Sequence, residues 1–252
     1  IEIRGKKLNL DTKIWPLFKD EIILKNKNNE EKLQQVTLRH LMTHTVGYDV
    51  GLLFSKDIEK IGEYNLLSYA FNYDIVYEPG THFVYSNVGP YIISAMIQNE
   101  LGISLSKWAD SLLFKKLNIT SFKWGRYGRY VAGCTGLEIG IKDLHKIAKL
   151  LVNKGVYDNE QIVSEKWIEE MHTVQIETPS MYDEKRAFPK YAYGYYIWIC
   201  ENGVFYCDGT DGQYIIMFPE QRIAITIMGH QKDMKPIGEC LRPIIENAFQ
   251  NN

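Results

Sequence analysis

Tyr85 and Asn87, two residues apart, are the side chains in this sequence best suited to doing chemistry. They end the run Pro79-Gly80-Thr81-His82-Phe83-Val84-Tyr85-Ser86-Asn87, a turn dipeptide, a short β-prone stretch and then a phenol and an amide on one loop. A phenol relays protons and an amide orients a substrate, a division of labour that suits acyl transfer. Three other patterns carry weaker chemical readings. Ser104-Leu105-Ser106-Lys107 sets a serine and a lysine one helical turn apart, but Ser104 stands where it would cap a helix carrying Trp108 and Leu112. His40 and His44 have the i, i+4 spacing of metal ligands. They lack the adjacent Glu of His-Glu-x-x-His and an evident third ligand, so a surface His and a helix-end His bonded to backbone are expected, with no metal. Cys207 as a nucleophile would need a histidine neighbour and a lowered pKa; nothing local supplies either, although a distant histidine could.

These residues need rigid elements to hold them. A Thr37 cap before Leu38, Leu41 and Met42 and a stop at Gly47 predict a short helix within residues 36–47. Apolar periodicity predicts a helix over Val88–Leu101, which would hold the Tyr85 loop still. Further helices are expected over residues 64–72, 105–114, 141–154 and 164–172, the last capped by Ser164. Residues 191–201, 204–207, 213–219 and 222–229 are short aromatic or β-branched runs broken by Gly, Asn and Pro, and read as three antiparallel strands. Ile237, Leu241, Ile244, Ile245 and Ala248 then give a closing amphipathic helix. Residues 25–35 read as an exposed loop, and the first eleven residues as a helix end stopped at Gly5.

Composition sets the outer bounds. With 252 residues and 45% hydrophobic content, the chain can bury one large core or two small ones. Lys+Arg 29 against Asp+Glu 31 gives a formal charge of -2, and no basic run is dense enough for nucleic acid. No apolar run approaches the ~20 residues of a membrane span. No signal peptide opens the chain, but the start reads as truncated, so this says little about compartment. The four cysteines, Cys134, Cys200, Cys207 and Cys240, show no Cys-x-x-Cys clip and are expected as unpaired, mostly buried thiols; Cys200 and Cys207 could be cross-strand neighbours.

The motifs and their order resemble the serine β-lactamase, penicillin-binding protein and esterase superfamily, with most similarity to its class C-like branch. Residues 36–47 are similar to its Leu-x-x-His-Thr-Ser-Gly helix, with Val46 in place of Ser, and residues 78–87 to its Pro-Gly-x-x-x-x-Tyr-Ser-Asn segment. Residues 112–119, 134–151 and 162–171 match further local patterns, and residues 208–213 sit where a third motif belongs. The resemblance implies an α+β, β-lactamase/transpeptidase-like fold. Residues 15–181 would form a helical domain. Residues 1–14 and 182–252 would form a partial α/β domain, an antiparallel sheet flanked by helices and incomplete on its N-terminal side. It also implies acyl-serine hydrolysis or transfer on a small ester, amide or β-lactam, without a cofactor, in a family usually found outside the cytoplasm of bacteria. Tyr85 would be the general acid/base, Asn87 the orienting amide and Ser86 a structural middle residue. The Thr210 N–H would be one oxyanion donor, with Asp208, Gly209, Gly212 and Gln213 on the substrate side.

Two departures bear on activity. The family's nucleophilic Ser-x-x-Lys is absent from its place and is expected upstream of Ile1, together with the first strands of the sheet. Loss of a serine nucleophile typically lowers turnover by about 10⁶, so the chain as written should be close to inert. Missing strands would leave a sheet edge able to pair with a second copy or a separate N-terminal piece. In addition, Cys207 and Asp208 replace the Lys or His and the Thr or Ser that help relatives bind a substrate carboxylate. That points to a substrate neutral or cationic at this strand. The competing reading is a non-catalytic binding or regulatory homologue that keeps the cleft without its chemistry.

Overall fold

In the computed structural model, which describes residues 2–3, 6–178, 190–200, 203–233 and 235–250, the chain packs as two units, Ile1–Glu138 and Ile139–Asn252. The expected stop at Gly5 and the domain boundary at Met181 lie outside the described residues.

The first unit is mainly helical, with helices at Leu38–Met42, Ser55–Ile61, Leu66–Asn72 and Val88–Leu101. Their apolar faces meet in a core containing Leu41, Leu66, Ala70, Phe71, Val88, Tyr91, Ile92 and Ala95. Trp15 and Phe18 close that core over Phe71, with ring centroids 5.5 and 5.3 Å away. Each such buried aromatic contributes about 1.5–3 kcal/mol of transfer free energy. Gly102 ends the Val88–Leu101 helix at φ 71°, a left-handed cap that glycine adopts without strain.

Three expectations for this unit need correction. The first residues are not a helix end: Glu2–Ile3 and Lys6–Lys7 pair as an antiparallel ladder. A stretch this short is below the length at which a helix sustains itself, and Ile1-Glu2-Ile3 alternates as a strand does. Residues 25–35 are not a plain exposed loop. A 3-10 turn at Lys27–Asn29 and a helical turn at Glu30–Leu33 bury Asn29 and Leu33. The Asn29 amide donates to the Phe71 and Tyr73 carbonyls and accepts the Ile75 N–H, so one side chain satisfies three buried backbone groups. The helix expected over residues 105–114 is α-helical only over Leu105–Ala109, and Asp110–Phe114 widens to a π turn.

Among the described residues, the second unit holds a six-stranded antiparallel sheet in the order Ile223–Met228, Gln213–Phe218, Phe205–Gly209, Trp198–Cys200, Lys190–Tyr193, Ile176–Glu177. The three strands expected for this region are too few. Residues 191–201 make two strands because the chain turns at Gly194–Ile197, where Tyr196 has φ 58° and the Gly194 N–H donates to the Ile197 carbonyl. The two-residue Ile176–Glu177 strand is too short to show a period. Helix Ile141–Val152 lies on the sheet, with Leu144, Ile147, Ala148 and Leu151 against Ile197, Ile215, Met217 and Phe205. Those four helix positions follow the i, i+3, i+4, i+7 spacing of one face. Ile223–Met228 is an edge strand, and among the described residues nothing pairs with its outer side. The closing helix, Lys235–Gln250, contains Pro243 and buries Leu241.

All four cysteines are free thiols, with Cys240 exposed. Cys200 and Cys207 are not cross-strand neighbours, because the register sets Ile199 against Phe205 and Cys207 against Ile215. No described helix is long and apolar enough to cross a membrane.

Candidate functional site

Tyr85 and Asn87 sit where the chain enters the Val88–Leu101 helix, with Asn87 as its N-cap residue. Residues 44–47 run beside residues 77–84 and tie the loop down. The Tyr77, Gly80 and Val84 N–H groups donate to the Gly47, Thr45 and His44 carbonyls at 2.9, 2.8 and 3.0 Å. Ser86, expected as a structural residue, is buried and makes the central joint. Its Oγ donates to the Leu52 carbonyl and accepts the Leu52 and Val88 N–H groups. The Asn87 backbone N–H donates to the Leu52 carbonyl at 3.0 Å, and the Asn87 Nδ2 donates to the Leu53 carbonyl at 3.0 Å. With its NH₂ committed, the Asn87 amide has a fixed orientation.

Leu52 and Leu53 were not legible as site residues. Leu53 is buried and left-handed at φ 62°, a conformation costly for a leucine and held here by its surroundings. Its position aims its carbonyl at Asn87. Gly51 allows the close approach: a Cβ there would lie 2.5 Å from the Tyr85 carbonyl oxygen.

Tyr85 itself is 41% exposed, in contrast to buried Ser86 beside it. Its ring lies 4.6 Å from that of His44, which also meets Phe83 edge-on at 5.9 Å. His44 is buried, and its Nδ1 accepts the Ser86 N–H at 3.4 Å, fixing the neutral tautomer with hydrogen on Nε2. Burial lowers its pKa to about 3. His40 likewise uses its Nδ1 to accept the Thr37 N–H at 3.2 Å, while Thr37 Oγ1 accepts the His40 N–H. The two histidines thus serve backbone groups, and the described residues contain no cluster of three metal-ligating side chains.

The other predicted residues belong to the second unit. Gly209 and Gln213 face each other across a tight hairpin whose loop is Thr210, Asp211 and Gly212. Asp211 at φ 67° and Gly212 at φ 93° make the reversal, left-handed positions that Asp and Gly tolerate. Thr210 is exposed at the tip. Gln213 Nε2 donates to the Gly229 carbonyl at 2.8 Å, and its Oε1 would sit 2.7 Å from a Cβ at Gly209, so only glycine leaves the strand end this bare. Asp208 accepts the Trp198 indole N–H at 2.9 Å. Cys207 packs into the helix-covered side of the sheet, where burial pushes its thiol up to about 12. A thiol kept protonated by burial is a poor nucleophile at neutral pH.

Ser104 caps a helix. Its Oγ accepts the Lys107 N–H at 3.4 Å and bonds Ser106, while Lys107 is exposed. This geometry fits the capping role expected from the sequence.

Solved structures share this fold. A variant of simvastatin synthase from Aspergillus terreus matches with a TM-score of 0.72 at 13% identity, over 97% of this chain and 76% of its own. The hydrolase EstCE1, described as having promiscuous acyltransferase activity, matches at 0.67 and 15%, over 92% and 77%. The octameric penicillin-binding protein homologue from Pyrococcus abyssi matches at 0.65 and 20%, over 93% of this chain but only 60% of its own. The family model described as Beta-lactamase aligns with residues 2–242, so the chain belongs to the Beta-lactamase family.

Proposed function

We propose that this protein serves acyl-serine chemistry, hydrolysis or transfer of an acyl group on an ester or amide, with Tyr85 as general acid/base and Asn87 as orienting amide. The observation that carries the reading is the contrast at residues 85–87: a half-exposed phenol beside an amide oriented by the Leu53 carbonyl, on a backbone anchored to the Leu52 carbonyl. A loop of purely structural purpose has no need to hold a phenol partly in solvent on so constrained a support. The Thr210 N–H, at a bare strand end after Gly209, is the proposed oxyanion donor, and Asp208, Gly212 and Gln213 shape its surroundings.

The serine and lysine of the reaction are not among residues 1–252, whose single Ser-x-x-Lys is the capped Ser104–Lys107 turn. A polypeptide bringing them would pair with the outer side of the Ile223–Met228 edge, an uncharged six-residue strand free of proline. Without that complement the chain binds but does not turn over substrate.

Cys207 and Asp208 set the charge preference. Asp208 puts a carboxylate on the Trp198 face of this strand, and Cys207, on the opposite, helix-covered face, supplies no cation to pair with an anionic substrate. Neutral or cationic esters and amides are therefore expected to raise the thermal unfolding midpoint, and carboxylate-bearing β-lactams to leave it unchanged. Differential scanning fluorimetry with matched esters and a penicillin checks this. Protection by the penicillin alone would overturn the charge assignment.

A further inference from the structure

His44 meets four consecutive residues of the Tyr85 loop. Its ring lies 4.6 Å from the Tyr85 ring, tilted by 41°, and meets the Phe83 ring edge-on at 5.9 Å. Its Nδ1 accepts the Ser86 N–H at 3.4 Å, and its carbonyl accepts the Val84 N–H at 3.0 Å. His44 is 5% exposed against 41% for Tyr85, so a buried ring backs a residue that reaches solvent.

Simpler residues would meet these demands one at a time. The backbone is left-handed at φ 56°, where asparagine sits readily, and an asparagine would also accept the Ser86 N–H. It has no ring to lie against Tyr85. A phenylalanine would supply the ring and bring no titratable group into the core, but it offers the Ser86 N–H no acceptor. A neutral imidazole joins an in-plane acceptor to a flat face, and so fixes the backbone and the ring of the loop together. Leu53, left-handed at φ 62°, does for Asn87 what His44 does for Tyr85. Behind each of the two functional side chains stands a residue in a sparsely populated backbone conformation, as is common where geometry serves chemistry.

We propose that His44 is a positioning residue for the acyl-transfer reaction: its ring face sets the direction of the Tyr85 phenol while its Nδ1 fixes the backbone at Ser86. The assignment rests on Tyr85 being the proton-relay residue of that reaction. His44 acts through Tyr85 and leaves substrate binding alone, so its loss falls on turnover. Misplacing a reacting group by about 1 Å costs on the order of 10² in rate.

The test is a double-mutant cycle on the natural gene product at pH 7, with 4-nitrophenyl acetate as the probe. His44→Asn keeps an acceptor and the left-handed backbone but removes the ring. It is expected to lower kcat about 10²-fold with KM changed less than about twofold. In a Tyr85→Phe background the same substitution is expected to change kcat less than about twofold, because no proton relay is left to misplace. His44→Phe, which restores a ring, is a second variant expected to stay within about tenfold of the unaltered kcat. Equal losses from His44→Asn in both backgrounds would mean a merely structural role and overturn the proposal. A raised KM at constant kcat, or a loss in His44→Phe as deep as in His44→Asn, would overturn it too. Hydrolysis that Tyr85→Phe slows and His44→Asn does not removes the role of His44 alone. No hydrolysis by the unaltered protein removes the acyl-transfer reading, and this role with it.

Discussion

Acidification from pH 7 toward pH 3 is expected to destabilise the first unit steeply, and His44→Asn is expected to flatten that dependence. His44 is buried, and burial holds its pKa at about 3, against 6.5 in the unfolded chain. Between those values the unfolded chain binds the proton and the folded chain does not. The neutral-His44 contribution is therefore complete above about pH 6.5 and is lost progressively as the pH falls to about 3. At about 1.4 kcal/mol per pKa unit this is on the order of 5 kcal/mol, a large share of the 5–15 kcal/mol typical of a folded domain. His172, whose burial lowers its pKa to about 4, adds the same sign of effect in the second unit over a narrower range. Protonation would also break the site, since His44 Nδ1 could no longer accept the Ser86 N–H. Asn suits the test because it tolerates the left-handed φ of 56° at this position and offers an acceptor without titrating. Urea midpoints measured from pH 7 to pH 4 on both proteins read the difference. An undiminished slope in His44→Asn would place the acid sensitivity elsewhere.

Gly47→Ala is expected to be the most damaging small substitution near the site. Gly47 has φ 108°, outside the range an alanine adopts without strain. An added Cβ would lie 2.3 Å from the Tyr77 carbonyl oxygen and 2.9 Å from Ile75 Cγ2. The first of these is backbone, held by the Tyr77 N–H bond to Gly47 itself, so relief requires moving the segment that leads to Tyr85. A cost of about 3–5 kcal/mol follows, or a fall in Tm on the order of 10 °C for a chain of this length. Gly140→Ala is the control, since a Cβ there meets nothing within 4 Å. Thermal unfolding by circular dichroism separates the two, and similar Tm values for both variants would mean that residues 75–77 yield to the methyl group.

The site and its fold were unequally legible in the sequence. Thr37, Ser104 and Ser164 read as caps because a hydroxyl three residues before a helical N–H acts locally, and all three accept the expected bond. The helix expected over residues 141–154 was readable because its apolar periodicity reports the face, Leu144, Ile147, Ala148 and Leu151, that packs on the sheet. Residues 191–201 were misread because aromatic richness continues through the Gly194–Ile197 turn, and only a positive φ at Tyr196 divides the strands. Residues 25–35 were misread because their order comes from Asn29 bonding to residues more than forty positions away, which leaves no local trace. Tyr85 and Asn87 stood out through their motif. The Leu53 carbonyl that fixes Asn87 did not, because a buried leucine reads as core and a left-handed backbone has no signature in a leucine.

The central claim, that Tyr85 relays protons for an acyl-serine reaction, is tested most directly by intact-mass measurement of fluorophosphonate labelling. The natural gene product and its Tyr85→Phe variant are to be compared over time. The predicted result is one adduct per molecule, on a serine that residues 1–252 do not include, formed about 10²–10⁴-fold more slowly in Tyr85→Phe. Residues 1–252 alone are predicted to stay at 29.3 kDa. An adduct on Ser104 or Cys207, equal rates in the two proteins, or no adduct at all would contradict it, the last leaving a cleft that binds without catalysing.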